Sequence, residues 1–249
     1  MKRRTYCLIA ALSVLMISCG QQESNEELRQ FAKSVSDSLH QQKPAFSELE
    51  ERLKLLGLAD VQELDSTIQV DLRYSTTNNF LGIDVYGDME RAYLQPDVAE
   101  RLVKAQHMLK QREPGLSLLV LDAVRPMSLQ QVFWDSVKVP VAERGKYVAN
   151  PGNGGSIHNY GAAVDVTLVD AEGHELDMGC PFDFFGDLAQ PAREAECLAR
   201  GELTQQQINN RKLLREVMHQ AGLFNLSTEW WHFNACSREK AMELYRLVE

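Results

Sequence analysis

The stretch SIHNYGAAVDVTLV, residues 156–169, decides how the rest of the chain is read. From Ala162 to Val169 it has the composition of a strand. Alternation puts Val164, Val166 and Leu168 on one face, and Ala163, Asp165 and Thr167 on the other. The apolar face belongs to a core, so Asp165 faces away from it. Gly161, Ala162 and Ala163 carry little or no side chain, which leaves room for His158, in the preceding loop, to fold back and meet that carboxylate. A glycine-rich loop, 151–155, leads into the segment.

A second stretch, STEWWHF at 227–233, holds the complementary groups. Glu229 and His232 are three apart, so they share a face only if the chain bends there. Trp230 and Trp231 beside them provide a dry wall. Together His158, Asp165 and His232 offer zinc three nitrogen or oxygen ligands and leave a fourth position open, the arrangement of a catalytic site. Glu229 is then spare. A carboxylate beside water acidified by zinc can take its proton and pass it to a leaving amine.

Working outward, a short strand is expected at Ile68 to Leu72, followed by Arg73, Tyr74 and a polar loop through Asn78 and Asn79. A helix is expected from Pro96 to Gln111. Leu116 to Leu121 is a continuous apolar run bounded by Pro114-Gly115 and Asp122, the mark of a buried strand, with Arg125 just past its end. Ser128 with Gln131 predicts a capping box after Pro126, and Thr204 with Gln207 another, for a helix buried through Leu214, Val217, Met218 and Ala221 and closed by Gly222. These elements make an α+β fold.

With 249 residues, 44% hydrophobic and 24% charged, the chain can bury one sizeable core. Its net charge of −9, with no basic stretch beyond the first four residues, lacks the electrostatic footprint of a nucleic-acid binder. Lys2, Arg3 and Arg4 precede an apolar run from Tyr6 to Ile17 of about a dozen residues, too short for the roughly 20 that a membrane span needs. Residues 1–18 therefore read as an export signal. Met16-Ile17-Ser18-Cys19 resembles a bacterial lipoprotein box, which implies lipid on Cys19, a membrane partner and an extracytoplasmic location. Residues 19–59 read as a tether with helical segments, one carrying Leu28, Phe31, Val35 and Leu39, the next Phe46, Leu49, Leu53 and Leu56. A catalytic domain follows over 60–249. Cys180, Cys197 and Cys236 leave at least one free thiol and allow one disulfide.

The pattern S-x-H-x-x-G-x-A-x-D at 156–165 with Glu229-Trp230-Trp231-His232 resembles the zinc D,D-peptidases related to the vancomycin-resistance dipeptidases. Three further stretches narrow the resemblance to the D-Ala-D-Ala dipeptidase branch: Val70 to Tyr74 with Asn78, Asn79, Phe80 and Gly82; Arg125-Pro126; and Leu176 to Gly179 with Phe182 and Asp183. It runs from about residue 60 to the C-terminus. The resemblance implies the zinc D,D-peptidase (hedgehog/D,D-peptidase-like) fold, a small antiparallel central sheet with flanking helices. It also implies one zinc on His158, Asp165 and His232, Glu229 as base, and Arg125 at the developing oxyanion. Ser156, Tyr74 and Asp177 match pocket-lining positions, and Asp177 is expected to hold the free amine of a dipeptide. The function expected is hydrolysis of D-alanyl-D-alanine in wall turnover or D-alanine salvage.

Two alternatives stay open at this point. One is a zinc D,D-carboxypeptidase or endopeptidase acting on peptidoglycan peptides; the other is a non-catalytic lipoprotein that binds them. The remaining histidines, His40, His107, His174 and His219, have polar or helical surroundings and read as surface residues. Ser237-Arg238-Glu239-Lys240 matches the Ser-x-x-Lys of serine peptidases but lacks a Lys-Thr-Gly partner, so it reads as a solvated helix start.

Overall fold

Burial of the two longest strands organises the molecule. In the computed structural model, which describes residues 47–249, every residue of Ser117–Asp122 and Ala163–Val169 is buried. They are β4 and β5 in chain order, after β1 (Ala59–Asp60), β2 (Gln69–Val70) and β3 (Tyr93–Leu94), and before β6 (Phe224–Asn225) and β7 (His232–Asn234). The helices are α1 (Glu48–Leu55), α2 (Val61–Leu64), α3 (Pro96–Arg112), α4 (Met127–Ser136), α5 (Val141–Arg144), α6 (Glu194–Ala199), α7 (Gln205–Gln220) and α8 (Arg238–Leu244). The expected leader at 1–18, Cys19, the first helical run and His40 lie outside the described residues.

The central sheet runs β2-β4-β5-β7-β6, and β1 and β3 form a separate two-stranded ladder. Antiparallel pairing links β4, β5, β7 and β6, but β2 joins β4 in parallel, so the sheet is mixed and not wholly antiparallel as expected. The reason is the connection: the chain leaves β2, runs through α3 and returns, which brings β4 back in the same direction. Val164, Val166 and Leu168 enter the main core with Leu102 of α3 and Leu214 and Met218 of α7. The opposite face is covered as well, with Leu119, Leu121 and Val169 beneath Phe182.

Helix signals held where side chains could reach the backbone. Thr204 caps α7 with a full capping box, and Gly222 closes it at a φ of 86°. Ser237 caps α8 by accepting from the Lys240 N–H, the solvated helix start expected. Ser128 makes no such box. Pro126 is the N-cap of α4, so Ser128 already lies within the first turn. Helix α1 corrects the tether reading. The compact unit begins at Ser47, ahead of the expected boundary at 60. Leu53 of α1 is fully buried, and buried Glu50 accepts from the Glu90 and Arg91 N–H groups. No helix among the described residues is long and apolar enough to cross a membrane.

Candidate active site

Three ligand-bearing side chains converge because β5 lies between a bent loop and β7. Asp165 on β5 pairs in register with His232 on β7, which makes the two cross-strand neighbours on one face. His158 comes from a single 3-10 turn, Ile157–Tyr160, with a Ser156–Asn159 capping box at its start. Gly161 reverses the chain into β5 at a φ of 65°, and a Cβ there would stand 2.9 Å from the Leu58 side chain. Glycine is needed on both counts. His158 thus folds back onto Asp165 as its neighbours' size suggested.

The far nitrogen of each imidazole is tied down. His158 Nδ1 lies 2.6 Å from the Ala123 carbonyl, and His232 Nε2 lies 2.8 Å from Asn234 Oδ1. Each contact requires an N–H on that nitrogen, which leaves His158 Nε2 and His232 Nδ1 as the lone pairs facing inward. These two nitrogens are 3.1 Å apart, and Asp165 Oδ1 is 3.4 Å from the first and 2.9 Å from the second. A tetrahedral zinc with bonds of about 2.0–2.1 Å separates its ligand atoms by roughly 3.3 Å. The donor set and spacing fit the ion, and these three form the cluster with metal-ligand potential among the described residues.

Electrostatics agree with a site built for positive charge. Burial works against the Asp165 carboxylate, but the two imidazoles beside it outweigh that and hold it below the usual range. Burial likewise opposes the His232 imidazolium, yet Asp165 and Glu229 hold its pKa up to about 9. Glu229 Oε2 is 3.9 Å from His232 Nδ1, brought there by the bend ahead of β7, and burial pushes its carboxyl up. The two tryptophans are buried edge to face, with Trp231 on the cavity wall.

The cavity holds about 300 Å³, the small end of the range for ligand pockets. Tyr74, Arg125, Ser156, His158, Asp165, Glu229 and His232 all line it. Arg125 is positioned from three sides: Nη2 donates to Asp122, Nη1 donates to Gln130 at 3.1 Å, and Nε faces the Tyr86 hydroxyl at 3.4 Å. Its guanidinium also stacks 4.1 Å from the centre of the Phe133 ring. Of its five N–H donors, two remain for the cavity.

Asp177 is not there. It is exposed, its Oδ1 accepts from Gly179 N–H at 2.8 Å and its Oδ2 from Gln207 at 2.8 Å, and it borders a different hollow. Alternation explains the miss: buried Met178 turns inward, so its neighbour turns outward, and the chain must pass Gly179 before it returns. The acid it delivers is Asp183, which lines the cavity and accepts from the Tyr74 hydroxyl at 2.9 Å. Its φ of 61° is the one left-handed value outside glycine among the described residues, a conformation aspartate tolerates better than most. Burial pushes its carboxyl up to about 8. The signal in the sequence was an acid set among Phe182, Phe184 and Phe185.

The other expectations separate cleanly. His107, His174 and His219 are exposed and bound to Asp65, Asp170 and Asn225 respectively. Cys180, Cys197 and Cys236 are all free thiols. The stretch 187–201 stays off the cavity floor, pinned by a two-bond contact from Arg215 to Glu194.

Comparison with known proteins gives a consistent set of relatives. The Peptidase_M15 family, described as D-ala-D-ala dipeptidase, matches residues 54–245. A D-alanyl-D-alanine dipeptidase of Escherichia coli K12 is 30% identical over 71% of this chain and 83% of its own length. One from Enterococcus faecium is 29% identical over 72% and 91%. Among solved structures, a vancomycin-resistance D,D-pentapeptidase in complex with Zn(II) aligns at 17% identity over 62% of this chain and 79% of its own, with a TM-score of 0.36.

Proposed function

Because the chain belongs to the D-Ala-D-Ala dipeptidase family, we propose that it hydrolyses D-alanyl-D-alanine to two molecules of D-alanine, with zinc on His158, Asp165 and His232. The observation that carries this reading is the meeting of three inward ligand atoms at 2.9–3.4 Å in a small cavity that also holds Glu229, Arg125 and Asp183. Zinc supplies Lewis acidity, drawing charge from a carbonyl oxygen and making water a stronger acid.

The chain's own groups do the rest. Asp183, aided by Tyr74, pairs with the substrate's ammonium group. The two free N–H donors of Arg125 meet the oxygen on which negative charge develops, and Asp122 holds the guanidinium so that it need not reorganise. Glu229, whose carboxyl burial pushes up and so makes a stronger base, removes a proton from the attacking water and hands it to the leaving nitrogen. Trp231 and Phe133 exclude bulk water. Ser156 holds the His158 turn in shape through its cap.

A small cavity with an acid committed to a free amine favours a dipeptide over a longer peptide. The test is to offer the zinc-loaded protein D-Ala-D-Ala, L-Ala-L-Ala, N-acetyl-D-Ala-D-Ala and a pentapeptide ending in D-Ala-D-Ala. Rapid cleavage of the first alone supports the proposal. Equal cleavage of the pentapeptide would favour the carboxypeptidase reading, and binding without cleavage the non-catalytic one.

The export signal and lipoprotein box at Cys19 support a place outside the cytoplasm, on a membrane. Substrate there is dipeptide released from wall material, so the role proposed is turnover or D-alanine salvage. Lipid labelling and fractionation of wild type and Cys19→Ser test this; a cytosolic wild-type protein would overturn it.

A further inference from the structure

Arg238 stands at the first position of α8 and lines the same cavity as the zinc-ligand triad. Its situation differs from that of the other arginine and the acids there. Arg125 is bound to Asp122, Asp183 to Tyr74, Asp165 to both histidines, and Glu229 lies beside His232. Arg238 has no acid within ion-pair distance among the described residues, and its Nε is buried with no hydrogen-bond partner. The cavity wall therefore carries a cation that no carboxylate of the described residues pairs with, and the outer guanidinium nitrogens are the donors it can offer a ligand.

The guanidinium is held in place by packing. A Cβ on Gly154 would lie 3.0 Å from Arg238 Nη2 and 3.8 Å from the Tyr160 hydroxyl. The left-handed Gly154, at a φ of 81°, therefore lets the loop ahead of His158 close against the arginine. Asp183 is held by Tyr74, and the Arg238 guanidinium lies against Gly154, so different residues present the acid and the cation. Arg125 cannot serve in place of Arg238, since its charge is already matched by Asp122.

We propose that Arg238 binds the C-terminal carboxylate of the substrate and thereby restricts the enzyme to peptides that end one residue beyond the scissile bond. This rests on the dipeptidase reading. A planar guanidinium matches a carboxylate through paired N–H donors, whereas an amide or a further residue offers no such charge. A zwitterionic dipeptide then brings its ammonium group to Asp183 and its carboxylate to Arg238 at once.

The experiment compares D-Ala-D-Ala with D-alanyl-D-alaninamide, which keeps the amine and loses the carboxylate, in wild type, Arg238→Gln and Arg238→Lys. In wild type the acid should exceed the amide in kcat/KM. Arg238→Gln should lose about 10- to 100-fold on the acid, mostly through KM, and change less than about threefold on the amide. Arg238→Lys should recover part of the loss. An equal fall on both substrates, or no fall on either, would overturn the proposal. Calorimetric binding of the two compounds to zinc-loaded wild type and Arg238→Gln separates this from the reaction itself. If wild type cleaved neither, the dipeptidase reading would fall, while a preference for the acid abolished by the substitution would still support the carboxylate site.

Discussion

Replacing Asp183 by Asn removes the cavity acid proposed to hold the substrate's amine, and the size of the effect can be worked from its surroundings. Burial pushes the carboxyl up to about 8, about four units above an ordinary aspartate, nominally roughly 5 kcal/mol. The side chain is only partly covered, so solvent at the cavity mouth reduces this to about 2–3 kcal/mol. An incoming ammonium group that ionises the acid must offset that cost by its attraction to the carboxylate, so the attraction is at least this large, and asparagine offers no charge to supply it. Asp183→Asn should therefore lower kcat/KM for D-Ala-D-Ala about 30- to 150-fold, but leave the already poor N-acetylated dipeptide nearly unchanged.

The pH dependence has a definite sign. Below its pKa the acid is protonated and must release a proton to bind the ammonium form, so wild-type kcat/KM should rise with pH toward 8. Zinc in the neighbouring triad adds positive charge and moves this limb to lower pH without reversing it. The limb should lose one unit of slope in the variant. Stability runs the opposite way. A carboxyl raised in the folded state contributes fully below about pH 4 and loses that contribution as pH rises toward 8. The zinc-free variant should match wild type near pH 4 and exceed it at pH 8. The assay is coupled D-alanine release from pH 5 to 9, with thermal unfolding alongside. Asp183→Asn retaining kcat/KM within threefold, or losing blocked and free dipeptide equally, would refute the reasoning.

His158→Ala and His232→Ala should each weaken zinc binding at least about tenfold in competitive chelation, because either change leaves only two of the three ligands. Glu229→Gln should keep zinc and the fold yet lose about 10²–10⁴ in kcat, measured at saturating dipeptide; a near-normal rate would assign proton transfer elsewhere. Arg125→Ala should lower kcat about 10²–10³ with zinc retained. Asp122→Asn, which leaves that buried guanidinium uncompensated, should in addition cost about 3 kcal/mol of stability by denaturant titration.

The metal triad was legible because its determinants are local. A small-residue run beside His158 and strand alternation through Asp165 each need only a few neighbouring residues to interpret. The capping box of α7 was legible for the same reason. The acid that lines the cavity was not, since Asp177 and Asp183 are close in the chain and only the turn at Gly179 decides which one returns to it. The parallel edge strand β2 and the docking of α1 depend on contacts far apart in sequence, such as Glu50 with the Glu90 and Arg91 backbone. Arg238 was read as a solvated helix start, and that is how its backbone behaves; its side chain's place on the cavity wall follows from Gly154, over 80 residues away.

The most direct test of the whole account is D-alanine release from D-Ala-D-Ala by the purified protein, before chelation, after it, and after zinc is restored. The account predicts two D-alanines per dipeptide consumed, loss of turnover on chelation, and recovery with one zinc per chain. A folded protein carrying that one zinc, yet releasing no D-alanine, would contradict it.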